Sequence, residues 1–456
     1  VGRLLTVPPK LDMGDFAFPC FTLAKKLRKA PPLIAQEIAE KVSPDLELLS
    51  GARALGGYVN LSVDRGRFAE TVLYEAVSAG EAYGRCQDGA GETIAIDYSS
   101  PNIAKPFHVG HLRSTIIGGA LVRIFQALGY DVIGINHVGD WGTQFGRQIA
   151  ALKRFGSPGD ENDLMSLNRL YVKFHELVDD DADLVEEARE WFRRQEAGDN
   201  EALALWRSIR DTSLDYFKDI YQRLGVRFDS YAGESFFNDK MAPVIEDARA
   251  KGLTTVSDGA VIVDLSAEGI DTPALLEKAD GTTLYLTRDV AAARYRHDTY
   301  GCDRIVYVVA SGQSLHFQQL FAVLKLLGHP WSKDCVHVNF GLVQGMSTRK
   351  GNVIYLEELL DEARERALTY MHSQIEKRFE LEDEENVAEA VGIAAIFFAD
   401  LSKQRIKDYR FDWDLAVSFD GDTGPYLLSA NARIAGILRN CGIDPDPGAD
   451  VGPLVE

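Results

Sequence analysis

The chain has 456 residues, 46% hydrophobic and 26% charged, with a formal net charge of −20. That length is enough for several domains with a sizeable core, and the acid excess excludes the overall basic footprint usual in nucleic-acid binders, though not a local basic face. No apolar run of transmembrane length and no signal-peptide pattern occurs, so no membrane partner is expected. The cysteines, Cys20, Cys86, Cys302, Cys335 and Cys441, are scattered without a C-x-x-C pair, which argues against structural zinc and disulfides and for a reducing, cytoplasmic setting. The chain starts at Val1 rather than methionine, which leaves open whether it is a fragment.

The first stretch reads as a small separate domain. Thr22–Leu27 and Ile34–Val42 are predicted helices with Leu23, Leu27, Ile34 and Ile38 as apolar positions. Gly56-Gly57 marks a turn into a strand at Tyr58–Leu61. Lys25, Lys26, Arg28 and Lys29 form a basic run that suits phosphates, or equally a solvated helix face.

Ile94 to Leu128 organises the rest. Ile94, Ile96 and Tyr98 alternate with Ala95 and Asp97 as a strand; Ser99–Phe107 is a turn-rich link; Leu112, Ile116, Ala120, Ile124 and Leu128 repeat at helical spacing. Gly129 stops the helix, and Val132, Ile133 and Ile135 begin a second strand. Strand, helix, strand at this length predicts a parallel sheet, whose ligands bind past the carboxyl ends of its strands. His108, Gly110 and His111 fall there. A helix N-terminus suits phosphate, Gly110 permits close approach, and the two imidazoles share a face from which both can donate.

Asn136–Gly146 (N-H-V-G-D-W-G-T-Q-F-G) suggests a tight loop bordering that place. Residues from about 159 to 231 read as acidic helices, with Trp191, Phe192, Trp206, Tyr216, Phe217 and Tyr221 as packing residues and Asp179–Asp183 as a solvated loop. Val256–Leu265 is a hairpin around a D-G turn, and Ala279-Asp280-Gly281 predicts another, followed by T-T-L-Y-L-T-R-D-V. Arg304–Ala310 reads as a buried parallel strand ending in the strand-to-helix turn S-G-Q-S-L-H, and His337–Phe340 as one more strand. Gly345–Asn352 (G-M-S-T-R-K-G-N) sets two cations and two hydroxyls between glycines, suited to charge on a leaving pyrophosphate. Beyond Asp361 the chain reads as helical, with Val387, Val391, Ala394, Phe398 and Leu401 on one face.

H-V-G-H at 108–111 resembles the first signature of class I aminoacyl-tRNA synthetases, and M-S-T-R-K-G at 346–351 resembles their second. The longer string S-S-P-N-I-A-K-P-F-H-V-G-H-L-R-S-T-I-I-G looks like arginyl-tRNA synthetases specifically. The resemblance implies an α/β fold: a Rossmann-like parallel-sheet catalytic domain over 89–370 with a helical insertion at about 159–231, preceded by a small α+β domain over 1–88 that contacts the tRNA elbow. Residues 371–456 would be the start of an all-helical anticodon-binding domain, which in the family continues well beyond this length.

The implied activity is ATP-dependent ligation of L-arginine to its tRNA through arginyl-adenylate, with Mg²⁺ arriving on ATP, no resident metal, and a monomeric enzyme. His108, His111, Lys105 and Lys350 would be catalytic. His108, Gly110, His111, Met346, Ser347 and Lys350 would bind ATP. Asp97, Ser100, Asn102, His111, Tyr285, Asp289 and Gln313 carry over to arginine, whose guanidinium needs a carboxylate. For Asp289 the alternative is a pair with its neighbour Arg288. Lys25, Lys26, Asp422, Tyr426, Asn431 and Arg433 would face tRNA. The second signature has Gly345 where the class usually has lysine, and Lys105 is read as the substituting cation. Two other classes stay open: a nucleotidyltransferase of the same superfold without tRNA, and a non-catalytic RNA-binding paralogue. The latter would have lost His108, His111 or Lys350, and all three are present.

Overall fold

A computed structural model describes residues 4–42, 48–178, 181–279, 285–344, 354–374, 383–442 and 446. The chain divides into two units, Val1–Arg85 with Ile437–Glu456, and Cys86–Gly436.

In the first unit β1 (Phe16–Pro19), α1 (Phe21–Leu27), α2 (Pro31–Lys41), β2 (Leu49–Leu55), β3 (Tyr58–Val63) and α3 (Arg65–Ala79) form a three-stranded antiparallel sheet of order β1-β3-β2 with helices. Cys20, Ile34, Ala35 and Val59 centre a small core. Leu27, expected to pack, is instead 53% exposed. It ends a seven-residue helix that Arg28 stops in a left-handed conformation, before a second face can form.

The second unit is built on β4 (Thr93–Asp97). Its elements continue with α4 (Leu112–Ala127), β5 (Asp131–Ile135), α5 (Thr143–Phe155), α6 (Leu164–Val178), α7 (Ala182–Glu196), α8 (Asn200–Arg223) and α9 (Met241–Ala250). Next come β6 (Thr254–Ser257), β7 (Ala260–Val263), β8 (Ala274–Glu277), α10 (Tyr285–Tyr300), β9 (Arg304–Tyr307), α11 (Ser314–Leu326), β10 (Cys335–His337) and β11 (Val343–Gln344). The helical end holds α12 (Leu356–Gln374), α13 (Glu384–Leu401), β12 (Tyr409–Arg410), α14 (Trp413–Ala416) and α15 (Gly424–Cys441).

Four strands form one parallel sheet of order β10-β9-β4-β5. Alternation assigns its faces. Ile94, Ile96 and Val306 join one core with Ile116, Phe217 and Ile396, whereas Ala95, Ile305 and Tyr307 join another with Val290, Phe317 and Leu320. Helices therefore cover both sides, and ligand access is left at the strand ends.

Four expectations shift. T-T-L-Y-L-T-R-D-V is not the second arm of a hairpin from Tyr285 onward: it enters α10, and buried Thr287 donates from Oγ1 to Leu276 O at 2.6 Å. Its turn, at Asp280-Gly281, lies outside the described residues. The strand expected at His337–Phe340 is β10, ending at His337, with Phe340 reduced to an isolated bridge to Ala310. On α13 the buried stripe is Ala388, Val391, Gly392, Ala395 and Ile396, while Val387 and Leu401 are exposed. Small residues win that face because a Cβ on Gly392 would meet Ala363 C at 2.8 Å, so α12 and α13 touch backbone to backbone. In the expected acidic loop, Asp181 instead caps α7, accepting from the Asp183 and Leu184 N–H groups.

Candidate active site

The site begins where β4 ends. Ser99 (φ 66) and Ser100 (φ 43) are both left-handed, an arrangement that costs energy for residues with a Cβ and must be held from outside. Ser99 N–H donates to Ser114 Oγ at 2.9 Å, and Thr115 Oγ1 to Ser99 Oγ at 2.8 Å. Ser100 Oγ donates to Asp97 Oδ1 at 2.6 Å and accepts from the His137 N–H at 3.1 Å. Asn102 Oδ1 accepts from Ala104 N–H at 2.9 Å, turning the chain towards the first signature.

That signature is a 3₁₀ turn, Val109–His111, and the α-helix starts only at Leu112. His108 is its cap: Nδ1 accepts from Gly110 N–H at 3.1 Å. A ring nitrogen that accepts leaves the proton on Nε2, so neutral His108 presents one N–H outward. A Cβ on Gly110 would lie 2.7 Å from His108 Cε1, so the glycine is required by the ring that covers it as well as by any ligand. The His108 and His111 rings lie 4.1 Å apart. Burial and then the Lys105 charge lower the His108 pKa; burial and then His108 push His111 down to about 3. Both are neutral at pH 7, and the buried His111 Nδ1 has no hydrogen-bond partner among the described residues.

Lys105 is exposed, with Nζ 5.5 Å from the Tyr171 ring centroid on α6. The two border a cavity of about 480 Å³ shared with His108, Asn168, His175 and Tyr355. Met346, Ser347 and Lys350 lie outside the described residues, but their flanks are fixed beside the first signature: Val109 N–H donates to Ile354 O at 3.2 Å and Leu356 N–H to Phe107 O at 2.7 Å.

A second cluster carries the carboxylates. Asp97 is 5% exposed and pairs with Arg296 of α10 at 2.8 Å. With Ser100 on its other oxygen, it is engaged within the chain. Asp289, seven residues before Arg296 on the same helix, is partly exposed. It does not pair with Arg288, which goes to Glu234 at 3.4 Å. His316 Nε2 lies 2.6 Å from Asp289 Oδ2, and His137 Nε2 3.8 Å from Oδ1. Burial raises the Asp289 pKa, but the His316 hydrogen bond and the His316, His137 and Arg296 charges outweigh it and keep the group an anion. Tyr285, 67% exposed, lies one helical turn before Asp289 on the same face, and Gln313 is exposed at the start of α11, three residues from His316.

Asp97, Ser100 and Asn102 thus gather around the end of β4, with Asp289 reached through His137. His137 and His316 are participants that sequence reasoning did not single out, although both sit in strings it had placed beside the site. Asp422, Tyr426, Asn431 and Arg433 are exposed on or just before α15, and Lys25 and Lys26 are exposed in the last turn of α1. Among the described residues no His, Cys, Asp and Glu grouping is suited to hold a metal ion.

Residues 73–413 match the family model described as tRNA synthetases class I (R), catalytic domain, and residues 3–63 match the arginyl tRNA synthetase N terminal domain. An arginine–tRNA ligase of Clostridioides difficile strain 630 is 46% identical, over 100% of this chain and 81% of its own. One from Streptococcus thermophilus strain LMD-9 is 49% identical, over 98% and 80%. Among solved structures, arginyl-tRNA synthetase of Plasmodium falciparum aligns with a TM-score of 0.81 at 27% identity, over 97% of this chain and 78% of that one. That of Thermus thermophilus aligns with 0.78 at 25%, over 96% and 78%.

Proposed function

Because the chain belongs to the class I arginyl-tRNA synthetases, we propose the roles by which its residues carry out ATP-dependent ligation of L-arginine to tRNA. The arginine carboxylate attacks the α-phosphorus of ATP, giving arginyl-adenylate and pyrophosphate. A hydroxyl of the terminal adenosine of tRNA then takes the arginyl group, and AMP leaves.

The observation that supports our assignment best is the pair of neutral imidazoles at the carboxyl end of β4. His108, with Nδ1 held by Gly110, offers Nε2–H to a phosphate oxygen, and His111 adds a second neutral imidazole, whose Nδ1 has no partner among the described residues. Gly110, Met346 and Ser347 contribute to the same nucleotide site. Lys105 and Lys350 approach the triphosphate from opposite sides and offset charge that grows as pyrophosphate departs. Mg²⁺ enters on ATP, held mainly by phosphate oxygens.

Asp289 takes the arginine guanidinium, with Tyr285 against the side chain and Gln313, Ser100, Asn102 and His111 nearer its amino-acid end. Asp97 acts through Ser100 and Arg296, since both its oxygens are engaged. We assign 1–88 to the tRNA elbow through Lys25 and Lys26, 89–370 to the chemistry, and 371–456 to the start of the anticodon-binding part. In that last part Asp422, Tyr426, Asn431 and Arg433 face tRNA. The free cysteines suit a cytoplasmic enzyme, and a monomer is the expected state, checked by light scattering. Arginine-dependent ATP–pyrophosphate exchange, run with and without tRNA, tests the assignment. Absence of arginine-dependent exchange under both conditions would overturn it.

A further inference from the structure

The first signature holds both flanks of the second. Downstream, Phe107 and Val109 bond to Leu356 and Ile354 through the backbone, and His108 forms a bridge with Tyr355. Upstream the hold is made by one side chain. Arg113, two residues past His111 in the first turn of α4, is 2% exposed. Its Nε donates to Asp400 Oδ1 at 2.9 Å, and its Nη1 donates to Gly341 O at 2.6 Å and to Lys407 O at 3.0 Å. The Tyr409 ring lies 5.0 Å from the guanidinium carbon.

Asp400 belongs to α13, and the two carbonyl acceptors come from segments that pair only briefly. β11 and β12 share two residue pairs, Val343 with Tyr409 and Gln344 with Arg410. A ladder so short does not stabilise itself. It is reinforced by Asp408 Oδ1 accepting from Leu342 N–H at 2.7 Å and by Gly341, where any Cβ would collide with the Lys407 backbone. Gln344 ends this ladder, and the second signature begins with the next residue. A planar fork spreads its donors over separate nitrogens and so reaches a carboxylate and two carbonyls on different sides, whereas a lysine gathers its three donors on one nitrogen.

We propose that Arg113 is a positioning residue for the second signature: its guanidinium pins the β11–β12 ladder, from which Gly345–Asn352 departs, to the helix that begins beside His111. The inference rests on the reading that Lys350 acts on the triphosphate. Arg113 touches no substrate. It sets where the ladder stands relative to the imidazoles of the first signature, and a misplacement of about 1 Å in catalytic groups costs up to roughly 100-fold in rate.

The test is a double-mutant cycle in the full chain with tRNA present, read by pyrophosphate exchange. Arg113→Met with Asp400→Leu removes the buried pair together, since an apolar replacement is tolerated where a lone buried charge is not. The expected result is a kcat loss of roughly 10- to 100-fold with arginine KM within about twofold. In a Lys350→Ala background the same replacement should cost less than about threefold, because the positioned group is already gone. Equal losses in both backgrounds, or a loss carried by arginine KM, would overturn the proposal. Near-native exchange by Lys350→Ala alone would instead overturn the reading of Lys350. If the apolar pair does not fold by circular dichroism, Arg113→Lys decides the cycle by the same criteria. It keeps a cation opposite Asp400 and loses the bonds to Gly341 and Lys407.

Discussion

Replacing Asp289 by asparagine separates charge from shape in the proposed guanidinium seat. The amide oxygen can still accept from His316, now 2.6 Å from Oδ2, so the local fold should persist. What disappears is the negative charge facing the substrate. Hydrogen bonds to charged groups contribute about 1.5–3 kcal/mol, which corresponds to roughly 10- to 150-fold in affinity. The Asp289 side chain is 26% exposed, so solvent screens part of this, and a loss of roughly 10- to 50-fold is expected. Arginine KM in pyrophosphate exchange should rise by that factor while ATP KM holds. Citrulline, which has arginine's shape without its charge, should compete with arginine better in the variant than in the parent. Unchanged arginine KM together with unchanged citrulline competition would refute the reasoning and remove Asp289 from the seat.

Lys105→Ala should slow adenylate formation by roughly 100- to 1,000-fold with arginine binding near normal, and Gly345→Lys should restore part of it; near-native exchange by Lys105→Ala would end the substitution idea. Gly110→Ala should push the His108 ring off its cap and raise ATP KM with arginine KM unaffected, whereas native ATP kinetics would show that the ring contact can relax. For His111 the folded pKa, about 3, lies below the ordinary 6.5, so the unfolded chain binds the extra proton first as pH falls. Its contribution to stability is full above pH 6.5 and declines towards pH 3. Melting temperature should therefore fall less steeply across that window in His111→Gln than in the parent, and parallel profiles would count against a buried neutral imidazole.

Local chemistry made the first signature legible. Strand alternation, two prolines and helical spacing fixed where His108 and His111 stand, because each cue acts over a few residues. The His137–Asp289–His316 cluster was hidden because its members meet only when β5, α10 and α11 pack. Nothing near Asp289 in sequence announces them, and adjacent Arg288 offered a plausible partner that packing directs to Glu234. The phase of α13 was missed for a related reason. Large apolar side chains drew attention to one face, while close approach to α12 selected Ala388, Gly392 and Ala395 on another. At α10 Thr and Tyr favour a strand locally, and tertiary packing around Thr287 overrides that preference.

The Asp97–Arg296 pair has a further consequence for an enzyme whose cargo is itself a guanidinium. Such a protein risks self-recognition, since any of its own arginines is a tethered mimic of the substrate. Here one mimic is seated, on the carboxylate at the end of β4, and the Asp289 carboxylate on α10 is flanked by His137 and His316, which cannot imitate the cargo. With Arg296 seated on Asp97, the berth proposed at Asp289 is left to a free amino acid rather than to that arginine of the chain.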